Sequence, residues 1–437
     1  MAVTVSELSN NIVLIAEPIA TVKTVAIGFW FSAGSRYEKK DERGIAHFTE
    51  HIIFKGTKNR SAYDIACAFD RIGGNLNAFT EREQICLQCV VPCNYAEYAL
   101  SVLCDMTENA LINENDVDRE RLVIENEIAS SQDDPEEAAM DAVMEAVWPD
   151  NSISWNICGT VDSVRKIDAT RLRSWYKKFI SGGELAVCIA GNFDAQSVRN
   201  VLEQCSAKRK NTQSGCRNEA RSAAFGTLPV WKPGFHYVDA DFQQEQIMVL
   251  FPFDVVPDED AYYSWAVLNA LTGDTMSSRL FQNLRESKGY CYNVYSFFSV
   301  CTDCGFWCAY ASVPKSKAAS ACKEISREIR RIVEKGVSDD EIEAAREHLC
   351  GEEIIFSEDI ENRMKRLFRN YSYGFAQNDW SQTVERLRSV DEAALRKAVS
   401  SLFDGSNLSI VVYGPKLTEK QREKLEKAGE IWKKLEK

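Results

Sequence analysis

Two of the chain's four histidines flank a carboxylate in the run His47-Phe48-Thr49-Glu50-His51. On an α-helix, His47 and His51 fall at i and i+4, one turn apart on one face, and Glu50, three residues after His47, shares that face. Such a face offers two imidazoles to a divalent metal and one carboxylate to a water on that metal. The order is H-x-x-E-H, the inverse of the H-E-x-x-H zinc helix. The flanks suit a helix. Asp41 and Glu42 place negative charge near its start, Gly56 offers a stop after Lys55, and Ile45, Ile52, Ile53 and Phe54 supply apolar positions to bury. Five-residue patterns also arise by chance. A catalytic zinc usually takes three protein ligands, so a third must come from elsewhere in the chain.

The elements that would position this helix come in two copies. At 437 residues the chain exceeds one typical core and implies two or more domains. The strand-like runs 184–191 and 407–414 match at an offset of 223 residues, pairing Leu185 with Leu408, Val187 with Ile410, Ile189 with Val412 and Gly191 with Gly414. An apolar strand stands near the start of each half, over 25–32 and 246–253, followed by a helical stretch. A hairpin-like pair of strands comes next, near 76–92 and 292–313, then further helices. Residues 206–232 are polar, carry Lys208, Arg209 and Lys210, and run into Pro229 and Pro233, which marks a linker rather than a long surface loop given the repeat. The expected organisation is a first domain over 1–207, a linker over 208–232 and a homologous second domain over 233–437. Neither half shows a regular βαβ rhythm. Each reads as α+β, a mainly antiparallel sheet with helices packed on one face.

Composition narrows the function classes. The net charge of -13 excludes nucleic acid as the primary partner, although an acidic surface suits cationic peptides. No stretch reaches the roughly 20 apolar residues needed to cross a bilayer, so no membrane partner is expected. The first residues, Met1-Ala2-Val3-Thr4-Val5, carry no basic segment followed by an apolar run, and a cytoplasmic protein is expected. The fifteen cysteines are then mostly reduced, buried and structural. Cys86, Cys89, Cys93 and Cys301, Cys304, Cys308 each run C-x-x-C-x-x-x-C. Both sets lie in strand-like runs, where residues three apart point to opposite faces, so neither is expected to converge on a metal or an iron–sulfur cluster.

Downstream of the first helix, Asp118 to Ile128 is strongly helical in composition. Glu120 and Glu127 are seven apart and share a face, while Leu122, Val123 and Ile124 are expected to face a core. By itself this stretch reads as a charged surface helix. With the motif before it the pattern becomes specific. H-x-x-E-H followed after about 75 residues by a glutamate in a Val-Ile-x-x-Glu-Ile setting resembles the pitrilysin/insulinase family of zinc metallopeptidases. Within it the chain is most similar to the mitochondrial processing peptidase-like subgroup. The runs 44–57, 73–80, 278–285 and 289–292 are also family-like, so the resemblance spans nearly the whole chain.

The resemblance implies an enzyme, a zinc metalloendopeptidase. It assigns His47, His51 and Glu127 to one Zn2+ per chain, Glu50 to the role of general base acting on the metal's water, and Glu120 to support of the site from behind the ligands. It places Arg285 and Tyr292 against the transition state. It also implies that the strand starting at Asn77, Ala78 and Phe79 takes the substrate backbone by strand addition. From position alone, the acidic run that includes Glu137 and Asp141 would favour a basic residue near the scissile bond. Peptides or unfolded segments are the implied substrates. The family encloses them in a chamber of two such two-domain units, so a homodimer is expected, with a heterodimer with a related subunit as the rival. A non-catalytic structural or assembly subunit is the alternative function, although such relatives typically lack the zinc ligands that this chain retains.

Overall fold

The runs with alternating or continuous β-branched and aromatic residues form strands, and these pair into two sheets. The computed structural model describes residues 3–8, 12–205, 225, 227–254 and 258–429. Most of the expected linker, residues 208–224 and 226, lies outside the described residues. The first sheet contains β1 (Thr4–Leu8), β2 (Ile12–Pro18), β3 (Thr24–Phe31), β4 (Asn75–Thr80), β5 (Ile85–Pro92) and β6 (Leu185–Gly191), in the order β1-β2-β6-β3-β5-β4. The second contains β7 (Gly234–Asp239), β8 (Gln244–Phe253), β9 (Val294–Val300), β10 (Gly305–Pro314) and β11 (Ser409–Gly414), in the order β7-β11-β8-β10-β9. Apart from the extra edge strand β1, the two orders are the same. In each sheet one pair is parallel, β2 with β6 and β7 with β11, and the rest are antiparallel. The α+β reading with two homologous sheets therefore holds.

The repeat extends to single backbone positions. Gly191 ends β6 at φ 133° and Gly414 ends β11 at φ 153°. A side chain at Gly191 would meet the Thr24 carbonyl at 2.4 Å, and one at Gly414 the Gln244 carbonyl at 2.6 Å, at the matching strand starts. Both conformations and both close approaches require glycine.

The chain divides into two compact units: residues 1–131, 155–226 and 355–379 in the first, and 132–154, 227–354 and 380–437 in the second. In the first, helices α1 (Ile45–Ile53), α2 (Ala62–Asp70), α3 (Ala96–Asn109) and α4 (Glu114–Asp133) contribute to the core on one sheet face. In the second, α6 (Glu259–Asn269), α7 (Ala318–Lys335) and α8 (Asp339–Ser357) do the same. The expectation of helices on one face alone is corrected here. In the first unit, Met364, Leu367 and Phe368 of α9 (Ile360–Tyr373) pack on the opposite face against Trp30, Cys86 and Cys188, with Phe368 stacked on Trp30 at 4.6 Å. In the second, Ala139, Val143, Met144 and Val147 of α5 (Pro135–Val147) pack against Met248, Phe306 and Tyr310. Each half of the sequence thus contributes one helix to the other unit, and boundaries at 207 and 233 leave both exchanged segments out. The cause is readable in the strands. Every residue of β6 is buried, as is all of β3 after Thr24, and a strand buried on both sides needs cover on both. Asp134 caps α5 and Asp359 caps α9, each accepting from two backbone amides of the first turn.

Candidate metal centre

Helix α1 begins at an unusual cap. Gly44 stands at φ 89° and a side chain there would meet the Cys158 carbonyl at 2.5 Å. No side chain of the cap residue itself serves the helix. Glu38 does so from six residues earlier: its Oε2 accepts from the Gly44 amide and its Oε1 from the Ala46 amide, both at 2.9 Å. Burial pushes the Glu38 carboxyl up to about 8 against the opposing pull of those two amides. The helix start is therefore served by hydrogen bonds to the Glu38 carboxyl, while Asp41 pairs with Arg171 at 3.3 Å. The helix ends at Ile53, before Lys55 and Gly56.

His47 and His51 emerge from one face of α1, with ring centroids 4.6 Å apart. Glu127 comes from α4. Its Oε1 lies 3.5 Å from His47 Nε2 and its Oε2 lies 3.4 Å from His51 Nε2. One ligand atom from each of the three falls within 4.8 Å of the others, and among the described residues no other group of three or more His, Cys, Asp or Glu does so. Zinc bonds of roughly 2.0–2.2 Å in a tetrahedron put neighbouring ligand atoms about 3.3–3.6 Å apart. Each imidazole has a different Glu127 oxygen at about the length of that edge, and one oxygen can serve both after a small carboxylate rotation, so this donor set fits zinc. His47 is buried, and desolvation, with His51 beside it, holds its pKa down to about 4. It is then neutral at neutral pH, as a ligand must be.

Two further carboxylates complete the group. Glu120, two turns before Glu127 on α4, is buried and places Oε2 3.2 Å from His51 Nδ1. Its Oε1 takes Lys55 Nζ at 2.6 Å. Glu50 is outside the ligand set and accepts from Thr80 Oγ1 of β4 at 2.5 Å. Burial pushes the Glu50 carboxyl above its usual range and the Glu127 charge adds to this, while Thr80 and His51 pull it back. Sequence reasoning missed Lys55, Thr80 and Glu38. Lys55 had a local signal, its i+4 spacing from His51. The other two had none.

The other expected site residues are placed as follows. Asn77, Ala78 and Phe79 lie in β4, which among the described residues pairs with β5 alone and stands at the sheet edge. The Ala78 amide donates to Asn77 Oδ1 at 2.9 Å. Arg285 and Tyr292 belong to the second unit and pair there, the guanidinium 4.6 Å from the Tyr292 ring centre, with Tyr292 76% exposed. Glu137 and Asp141 lie on α5, also in the second unit, and the Glu137 amide serves the Asp134 cap. Two expectations change. Leu122 and Val123 are exposed, because the buried stripe of α4 runs through Val117, Glu120, Ile124 and Ile128. Cys86 and Cys89 do face opposite sides of their sheet, but Cys301, Cys304 and Cys308 all pack into one core. Cys301 and Cys304 straddle a hairpin turn, with the Cys301 amide bonded to the Cys304 carbonyl at 2.9 Å, and Cys304 and Cys308 are an even number of residues apart. No disulfide joins the described cysteines.

Comparison with known proteins follows this geometry. Residues 13–161 match the model of the insulinase family, peptidase family M16, and residues 166–349 match that of the peptidase M16 inactive domain. An uncharacterized zinc protease of Streptomyces coelicolor is 32% identical over 96% of this chain and 91% of its own length. YmxG, an uncharacterized zinc protease of Bacillus subtilis, is 31% identical over 83% of this chain and 86% of its own. A protease of Helicobacter pylori of known crystal structure shares the fold with a TM-score of 0.84 at 17% identity, over 94% of this chain and 99% of that one. The matched residues 13–161 include the motif helix and Glu127, and this chain belongs to the insulinase family of peptidases, family M16.

Proposed function

We infer that the protein is a zinc-dependent endopeptidase that hydrolyses peptides or unfolded segments. The observation that carries this reading is the division of labour among three carboxylates. Glu127 bridges the two imidazoles, Glu120 backs His51, and Glu50 stays outside the ligand set, held by Thr80. His47, His51 and Glu127 would hold zinc, which when bound would supply Lewis acidity at the scissile carbonyl and lower the pKa of water. Glu50 accepts the proton of the attacking water and returns it to the leaving amine, a cycle that needs no further proton source. Its raised pKa suits that exchange, since a proton taken up there is held until the amine departs.

The open edge of β4 suits an extended peptide. Main-chain hydrogen bonds to a strand edge hold a backbone whatever its side chains, and Thr80, the last residue of β4, is the one that touches Glu50. A peptide on that edge is carried toward the general base. The Ala78 amide must exchange its Asn77 partner for the peptide.

The reading extends to assembly. Two copies of the chain form the substrate chamber, and Arg285 and Tyr292 stabilise the charge that develops on the carbonyl oxygen. The exposed Tyr292, with the half-buried Arg285 guanidinium over its ring, supports this role. Among the described residues no helix is long and apolar enough to cross a membrane.

The test pairs metal analysis with cleavage of a pool of unstructured peptides, read by mass spectrometry, for wild type and Glu50→Gln. One zinc per chain in both, with products from wild type alone, supports the reading. Absence of zinc from wild type overturns it and favours a non-catalytic subunit. Sedimentation of the active protein as a monomer overturns the two-subunit chamber.

A further inference from the structure

We propose that Lys55 is a positioning residue of the metal centre, acting through Glu120 on His51. This rests on the zinc-site reading above and extends it to a residue that touches neither metal nor substrate. Glu120 is buried, and both of its oxygens are engaged, one by Lys55 Nζ at 2.6 Å and the other by His51 Nδ1 at 3.2 Å. A carboxylate gripped at one oxygen alone still rotates about its last side-chain bonds. Gripped at both, it has one orientation, and that orientation sets the plane of the His51 ring and the direction of Nε2. Partners behind a ligating histidine commonly change metal affinity about 10–100-fold when removed.

Lys55 is itself held in place. It stands in the turn that closes α1, one residue past the Phe54 cap, and its amide donates to the Ile52 carbonyl at 3.1 Å. The turn after it is pinned to Asp105, which accepts from Thr57 Oγ1 at 2.6 Å, Asn59 Nδ2 at 2.5 Å and Arg60 Nη1 at 2.6 Å. The lysine therefore projects from a fixed base. Among the described ion pairs it is also the one cation on a group that gathers Glu50, Glu120 and Glu127 around two imidazoles. With Lys55 present, the carboxylate faces a cation on one side and an N–H on the other.

The experiment measures zinc affinity by competition with a chromophoric chelator, and the visible absorption of the cobalt-loaded protein, for wild type, Lys55→Met, Lys55→Arg, Glu120→Gln and the Lys55→Met/Glu120→Gln pair. The expected result is a loss of zinc affinity of about 10–100-fold in Lys55→Met, with a changed cobalt spectrum, recovery of most of the affinity in Lys55→Arg, and no further loss when Lys55→Met is added to Glu120→Gln. Circular dichroism melting of the metal-free proteins separates positioning from folding, and the metal-free Lys55→Met protein should melt close to wild type. Zinc bound as tightly by Lys55→Met as by wild type overturns the proposal and leaves the zinc site intact. So does a loss that merely tracks collapse of the metal-free fold, or one that adds fully to Glu120→Gln. A wild type that binds no zinc overturns the metal site itself.

Discussion

The two units share a sheet order and differ in what they do with one corner of it. In the first, the helix after the third strand presents His47, Glu50 and His51, and the edge strand β4 sends Thr80 to Glu50. In the second, the corresponding helix α6 ends at Asn269, and the edge strand β9 sends Ser296 to it, Oγ to Oδ1 at 2.7 Å. The Trp307 indole donates to the same Asn269 oxygen at 2.8 Å, and the Asn269 amide group returns to the Ser296 carbonyl at 3.3 Å. Helix α4 carries Glu120 and Glu127, whereas the buried stripe of α8 is Ile342, Ala345 and Cys350. In the second corner Asn269, Ser296 and Trp307 satisfy one another, and among the described residues no group of three His, Cys, Asp or Glu gathers there. The first keeps three donor groups aimed at one point, with His47 Nδ1 buried without a hydrogen-bond partner. The fold survives either arrangement. The chemistry is a graft on one copy, consistent with the match of residues 166–349 to an inactive domain.

Making the first corner resemble the second is the sharpest way to break this contrast. His51→Asn should remove zinc altogether and abolish cleavage, because two protein ligands do not make a catalytic zinc site. Metal analysis of the purified variant checks it, and retained stoichiometric zinc would show that the imidazole is dispensable. Glu50→Gln should keep zinc while lowering kcat/KM by about 10²–10⁴-fold, the usual worth of a general base. Thr80→Val should keep zinc and lower kcat/KM by about tenfold, since one hydrogen bond to a charged group contributes about 1.5 kcal/mol. In the second unit, Trp307→Phe should leave zinc untouched and cost about 1–3 kcal/mol of stability, read by denaturant unfolding, because Asn269 then loses a buried donor.

The smallest effect is a pH slope at Glu38. Its folded-state pKa, about 8, is raised above the ordinary 4.5. The stability linked to this group is therefore fully present below about 4.5 and is lost as pH rises through about 8. Glu38→Gln should flatten that part of the melting-temperature profile of the metal-free protein. An unchanged slope would assign it to other groups.

Local periodicity made the shared helix faces legible, and the resemblance to a known family singled out Glu127 on the second of them. The i, i+4 spacing of His47 and His51 and the two-turn spacing of Glu120 and Glu127 each concern a single helix, where sequence distance and spatial distance are tied by a fixed rise and turn. The doubled sheet was legible for a similar reason, since strands at matching positions keep matching apolar patterns down to Gly191 and Gly414. The same logic failed for Leu122 and Val123, where the apolar residue type was followed instead of the helical stripe. It failed for Cys301 and Cys304 because a turn falls between them and strand alternation stops there.

By itself, then, the sequence determined that His47, His51 and Glu50 share one helix face, that Glu120 and Glu127 share another, and that the chain is one fold twice over. Only the tertiary structure decided that Glu38 caps the motif helix, that Thr80 grips Glu50, that Lys55 and His51 share Glu120, and that α5 and α9 are exchanged between the units. Each of these joins segments whose separation along the chain carries no fixed geometry. For α5 and α9 the cause is the burial of strand faces that need cover on both sides, and no local pattern states which helix will supply it.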